Sequence, residues 1–133
     1  MKGKTILVVD DDLSVHIGIA HWFPDYVTSD AGSAEQMFEY LECAIPDLIL
    51  LDVHMPGMDG IEAARKLKSD ARYSEIPVII ITASTCDILE EHGMEIGVVD
   101  YIIKPFVYEQ LRKRVDAIFE LHDLETELRD NRE

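Results

Sequence analysis

Apolar residues along this chain come in short, nearly unbroken runs, and the stretches between them repeat at helical spacing. The runs at 5–9 (TILVV), 26–29 (YVTS), 48–51 (LILL), 78–82 (VIIIT) and 98–103 (VVDYII) predict five strands. Most are rich in Val, Ile and Leu with no polar alternation, the pattern of strands covered on both faces of a parallel sheet. The intervening spacings predict helices over about 13–23, 34–43, 61–69 and 87–95, and a long one from Val107 onwards. In the first, Val15, Ile19, Trp22 and Phe23 share a face and Pro24 stops the helix; Trp22 is read as a core residue. In the last, Val107, Leu111, Val115 and Ile118 are expected to face the sheet. Strand and helix alternating in this way predict an α/β fold, a doubly wound five-stranded parallel sheet with helices on both faces and one reversal of strand order.

That architecture turns sequence positions into a site, because ligands of such sheets lie beyond the carboxyl ends of the strands near the reversal. Asp10 and Asp11 follow the first strand, Asp52 the third, Thr82 closes the fourth and Lys104 follows the fifth, so all five are expected on one rim. Three carboxylates gathered there repel one another unless a cation, a proton or a lysine neutralises part of the charge. Oxygen donors on adjacent loops suit Mg²⁺, and no set of His and Cys argues for zinc. Lys104 and the Thr82 hydroxyl are suited to phosphoryl oxygens. The chemistry this permits is phosphoryl transfer to a carboxylate, with Asp52 attacking phosphorus in line.

Composition narrows the partners. The chain of 133 residues fits one domain, and its net charge of -15 predicts no direct nucleic-acid or membrane partner. No run has the length of a membrane span or the form of a signal peptide, so a cytoplasmic protein is expected. Cys43 and Cys86 lack ligand spacing and are read as reduced, structural thiols. Asp12 and Asp59 are expected as helix caps. The PGMDG turn lacks the spacing of a nucleotide loop, and the His54 side chain has no ligand partner at metal-site spacing.

The segments ILVVDDD, PDLILLDVHMPGMDG, PVIIITA and DYIIKPF, in this order, resemble the receiver domain of two-component response regulators through about residue 121. The resemblance implies a flavodoxin-like strand order 2-1-3-4-5 and a phosphorylation switch. Asp52 would accept a phosphoryl group from a histidine kinase or phosphotransfer protein, with Thr82 and Lys104 assisting. Mg²⁺ would be held by Asp10, Asp11, Asp52 and the backbone carbonyl of His54. Thr82 and Tyr101 would form the switch pair, altering the face made by the fourth helix, fifth strand and fifth helix, and the bond before Pro105 would be cis. The side chains of His54 and Ser84 would flank the path of the hydrolytic water and modulate the lifetime of the phosphoryl group. Catalysis would extend only to the domain's own phosphorylation and dephosphorylation.

Two features depart from or exceed that pattern. Fewer residues separate Asp10 from Gly32 than is usual in the family, which alters the first-helix surface on which a kinase commonly docks; His21, Trp22 and Phe23 either reshape that surface or fill the core. Residues 122–133 form an acidic helical extension in which Leu121, Leu124 and Leu128 continue an apolar line. The expectations are a linker to an output module or a homodimer, through this helix or through the switch face. The competing function is a receiver-like interaction module regulated without phosphate; a free-standing aspartyl phosphatase would want a general acid at position 54.

Overall fold

The computed structural model describes residues 3–83 and 96–130. The helix predicted over 87–95, together with Ser84 and Cys86, lies outside the described residues. Five strands, β1 (Thr5–Val9), β2 (Val27–Ala31), β3 (Leu48–Asp52), β4 (Val78–Thr82) and β5 (Asp100–Ile103), form one parallel sheet in the order β2-β1-β3-β4-β5. Its helices are α1 (Leu13–Trp22), α2 (Ala34–Cys43), α3 (Gly60–Ser69) and a C-terminal helix, Tyr108–Asp130.

Side-chain alternation along the central strands divides the core in two. Leu7, Val9, Ile49, Leu51, Val78 and Ile80 point to the layer containing α2 and α3, where Met37, Leu41, Ala64 and Leu67 are buried. Ile6, Val8, Leu48, Leu50, Ile79 and Ile81 point the other way, to Val15, Ile19 and Phe23 of α1 and to Leu111, Val115 and Phe119 of the C-terminal helix. Every residue of β3 and β4 is buried, as their unbroken apolar runs require.

Several boundaries and faces differ from the sequence reading. The second strand starts one residue later and ends two later, because its register against β1 runs from Thr5–Val27 to Val9–Ala31. It is an edge strand, where polar residues such as Ser29 and Asp30 are tolerated. Val98 and Val99 precede β5: Val98 is buried, while Val99 is half exposed and donates its N–H to the Val78 carbonyl at 3.0 Å. On α1, Val15, Ile19 and Phe23 are buried but Trp22 is 42 % exposed, so the expectation of a core tryptophan was wrong. The helix ends at Trp22, one residue early, and the C-cap residue Phe23 takes the buried position beside Ile19. The Trp22 carbonyl is capped by Arg112, whose guanidinium also pairs with Asp25 and lies over the rings of Phe23 and Tyr26. On the C-terminal helix Ile118 packs partly buried against the core as expected, Phe119 beside it is fully buried, and Val107 is exposed ahead of the first turn. The helix runs unbroken through residues 121 and 122, with Leu121, Leu124 and Leu128 all exposed.

Capping explains where the helices next to the rim begin. Asp12 accepts from the Ser14 N–H at 2.9 Å and starts α1; Asp59 accepts from the Glu62 N–H at 2.9 Å and starts α3. Gly60, the first residue of α3, donates to the Val53 carbonyl at 2.9 Å and passes so close to β3 that a Cβ there would collide with the Asp52 carbonyl and lie 2.8 Å from the Val53 Cα. Because both obstacles are backbone, Gly60→Ala is expected to destabilise the fold by about 1–3 kcal/mol. At Gly32 an added methyl meets only the end of the Gln36 side chain, so Gly32→Ala is expected to stay within about 0.5 kcal/mol of the parent. Urea unfolding of the two variants checks the contrast.

Candidate functional site

At the carboxyl edge of the sheet β1 leads into Asp10, β3 ends on Asp52, β4 ends on Thr82, and β5 leads into Lys104. The side chains of Asp10, Asp52 and Thr82 are the buried polar ones among the described residues. The strands hold them there because their apolar neighbours are locked in both core layers. Oxygens of Asp10, Asp11 and Asp52 come within 4.8 Å of one another, with Asp11 exposed to solvent. Lys104 Nζ donates to Asp10 at 3.0 Å and stands 3.6 Å from Asp52. The Asp12 N–H donates to the other Asp10 oxygen at 2.8 Å.

The electrostatics follow from this crowding. Burial, then the neighbouring charge of Asp10, pushes the Asp52 carboxyl up to about 6, against the opposing pull of Lys104 and of the His54 N–H. Burial works against the charge on Lys104, but its hydrogen bond to Asp10 and the charge of Asp52 outweigh it and raise its pKa. One ammonium therefore leaves three carboxylates undercompensated. A hard divalent cation is what such a donor set suits: all-oxygen ligands on two adjacent strand ends, one of them open to water. The residues present fit Mg²⁺.

The five rim residues are thus brought together. Asp12 and Asp59 are the caps expected of them. His54 turns its imidazole to solvent, and its N–H bonds to Asp52. The Lys104–Pro105 peptide is cis. Tyr101 stands away from the acid cluster on β5, 37 % exposed, beside a hollow of about 340 Å³ that Arg114 and Phe106 also line. Arg114 pairs with Asp100 at 2.9 Å and donates to the Tyr101 carbonyl. Sequence reasoning passed over His16, which reaches from α1 to the Asp10 carbonyl; a lone histidine on an amphipathic helix carries no signal of that kind. Among the described residues no helix is long and apolar enough to cross a membrane.

A doubly wound sheet whose reversal point gathers an acid triad, a threonine and a lysine defines a class of phosphoacceptor-like domains. Residues 6–116 match the response regulator receiver domain, and the chain belongs to that family. It is 40 % identical over 120 residues to the phosphate regulon transcriptional regulatory protein PhoB of Pseudomonas aeruginosa, covering 89 % of this chain and 52 % of that protein. It is 33 % identical over 123 residues to the cyclic di-GMP phosphodiesterase response regulator RpfG of Xanthomonas campestris, covering 90 % of this chain and 32 % of that one. The chain thus spans about half or less of these curated relatives. Among solved structures, the receiver domain of sensor histidine kinase PA1611 from Pseudomonas aeruginosa, with a magnesium ion coordinated in its active site cleft, superposes with a TM-score of 0.76 at 26 % identity, covering 86 % of this chain and 96 % of that one.

The raised Asp52 carboxyl makes a testable demand. A group whose folded pKa lies above its unfolded value of 3.8 binds its proton more tightly when folded; its contribution to stability is present below about pH 4 and is lost as pH climbs through about 6. Without divalent cation, Asp52→Asn is therefore expected to be more stable than the parent at pH 7, by roughly 2–3 kcal/mol. The gap should close towards pH 4. At pH 7 millimolar Mg²⁺ should narrow it by raising the parent. Calorimetric scans at the two pH values, with and without the ion, read all three; coincident midpoints at pH 7 in chelator contradict the account.

Proposed function

We propose that this domain is a phosphorylation switch in which Asp52 accepts a phosphoryl group from a histidine kinase or phosphotransfer protein. The observation that carries the reading is the Asp52 carboxylate, buried at the end of β3 with Lys104 Nζ at 3.6 Å and Asp10 and Asp11 beside it. Asp10 and Asp11, with Asp52 and the His54 carbonyl, would hold Mg²⁺, as the magnesium-bound cleft of the PA1611 receiver supports. When bound, the ion supplies positive charge that screens the phosphoryl oxygens from the carboxylates. An oxygen of ionised Asp52 forms the new bond to phosphorus while the bond from phosphorus to the donor imidazole breaks. Lys104, released in part from Asp10, is the side chain able to meet a phosphoryl oxygen.

Thr82 and Tyr101 make the readout. A phosphoryl group adds strong acceptor oxygens, which reward movement of the buried Thr82 hydroxyl towards them. Tyr101, on the neighbouring strand and half exposed, would move into the space released, changing the surface around β5 and the C-terminal helix. The longer relatives bear different activities in their names, one a transcriptional regulator and one a phosphodiesterase. The extended helix with its exposed leucines would join the domain to such a module or pair it with a second copy. His54, exposed two residues beyond Asp52, would modulate the lifetime of the acyl phosphate, with Ser84 as its counterpart.

Incubation with acetyl phosphate and Mg²⁺ is expected to add one phosphoryl mass to the intact protein and none to Asp52→Asn; a parent that gains nothing favours the phosphate-independent module instead. Decay of that mass in His54→Ala against the parent reads the lifetime. Thr82→Ala is expected to be phosphorylated while losing most of the phosphate-dependent change at Tyr101, followed by its ring resonances in NMR. A parent-like change at Tyr101 in that variant removes Thr82 from the relay.

A further inference from the structure

On α1, His16 turns its ring towards the rim, and its side chain is only 10 % exposed. Its Nε2 lies 2.7 Å from the Asp10 backbone carbonyl oxygen and its Nδ1 2.8 Å from Asp30 Oδ1, at the edge strand. A carbonyl and a carboxylate are both acceptors. An imidazole N–H can donate to either, and the ring lies within hydrogen-bond distance of both. In this arrangement His16 ties α1, the end of β1 and β2 together.

What it holds is the Asp10–Asp11 peptide. The other polar groups of Asp10 are already engaged: its N–H donates to the Ala31 carbonyl at 3.0 Å, and its two carboxylate oxygens accept from the Asp12 N–H and from Lys104. His16 supplies the contact to the carbonyl. Because that carbonyl and the Asp11 nitrogen share one rigid plane, fixing its direction fixes the direction in which the chain leaves towards the Asp11 Cα. Asp11 is the exposed member of the acid cluster and the one with least packing to orient it.

We propose that His16 is a positioning residue for the cation site: through its contacts with the Asp10 carbonyl and Asp30 it holds the peptide that presents Asp11. This rests on the Mg²⁺ reading of the rim. Titration calorimetry with MgCl₂ alone, on the full chain, tests it. His16→Ala is expected to weaken Mg²⁺ binding about tenfold, the effect of losing a group that orients a ligand. His16→Arg, whose guanidinium can reach both acceptors, is expected to return affinity to within about threefold of the parent. With acetyl phosphate the alanine variant should need more Mg²⁺ yet reach the parent level of phosphorylation at saturation. A purely structural role would lower the unfolding midpoint and leave the Mg²⁺ affinity of the folded protein unchanged. An alanine variant binding within about twofold of the parent, or an arginine variant as weak as alanine, overturns the assignment. A parent that takes up no Mg²⁺ overturns the site reading itself, and His16 with it. Should the alanine variant fail to fold, His16→Gln, with one donor group, takes its place under the same thresholds.

Discussion

The ion pair between Lys104 and Asp10, with Asp52 beside it, joins the ends of three strands that the chain visits far apart. Lys104 Nζ sits 3.0 Å from a carboxylate that is almost wholly buried. Burying that charge alone would be prohibitive, and burying it beside a second carboxylate more so. The lysine makes the cluster tolerable without neutralising it. Asp52 remains hard to ionise, and the rim is left with an appetite for further positive charge. An arrangement short of one cation is poised to answer to a metal and a phosphoryl group together.

The rest of the fold serves to hold that unfavourable cluster in place. Central strands buried on both faces cannot slide, because a shift of one residue would exchange the two core layers. Asp52 is thereby fixed by Leu51 below α3 and Leu50 below the C-terminal helix, and Gly60 lets α3 begin directly against it. At the opposite end of α1, the Arg112 guanidinium, bonded to the Trp22 carbonyl and to Asp25, closes the helix onto the C-terminal helix. Its hydrogen bond is the main cause that lowers the Asp25 carboxyl from its ordinary value. An ion pair and two aromatic contacts thus tie the end of α1 to the C-terminal helix, and Trp22 is left half exposed on the α1 surface.

The C-terminal helix belongs to two settings. Through Phe119 it is part of the core; beyond it the same helix carries Leu121, Leu124 and Leu128 into solvent among acidic residues. The matched region makes up 52 % of one relative and 32 % of another, and the two differ in the activity they are named for. The helix is continuous from Tyr108 to Asp130, so its buried and exposed parts are one element.

The five-stranded sheet and the rim were legible in the sequence because both rest on short-range patterns. Unbroken apolar runs mark buried parallel strands, and the residue after each run must emerge on the same edge, so Asp10, Asp52, Thr82 and Lys104 converge by topology alone. Asp12 and Asp59 were legible as caps for a similar reason, since a cap acts within its own turn. Tertiary structure decided what depends on contacts between distant elements. It set the limits of β2 by register with β1, left Trp22 half exposed while its carbonyl takes a donor from another helix, and buried Phe119 beside the partly buried Ile118 on the C-terminal helix. It also brought His16 against Asp10 and Asp30, a contact among three elements to which no periodicity points. Local pattern fixes which residues stand at the strand ends; only packing of one layer on another fixes how far each helix turns and which side chain reaches across.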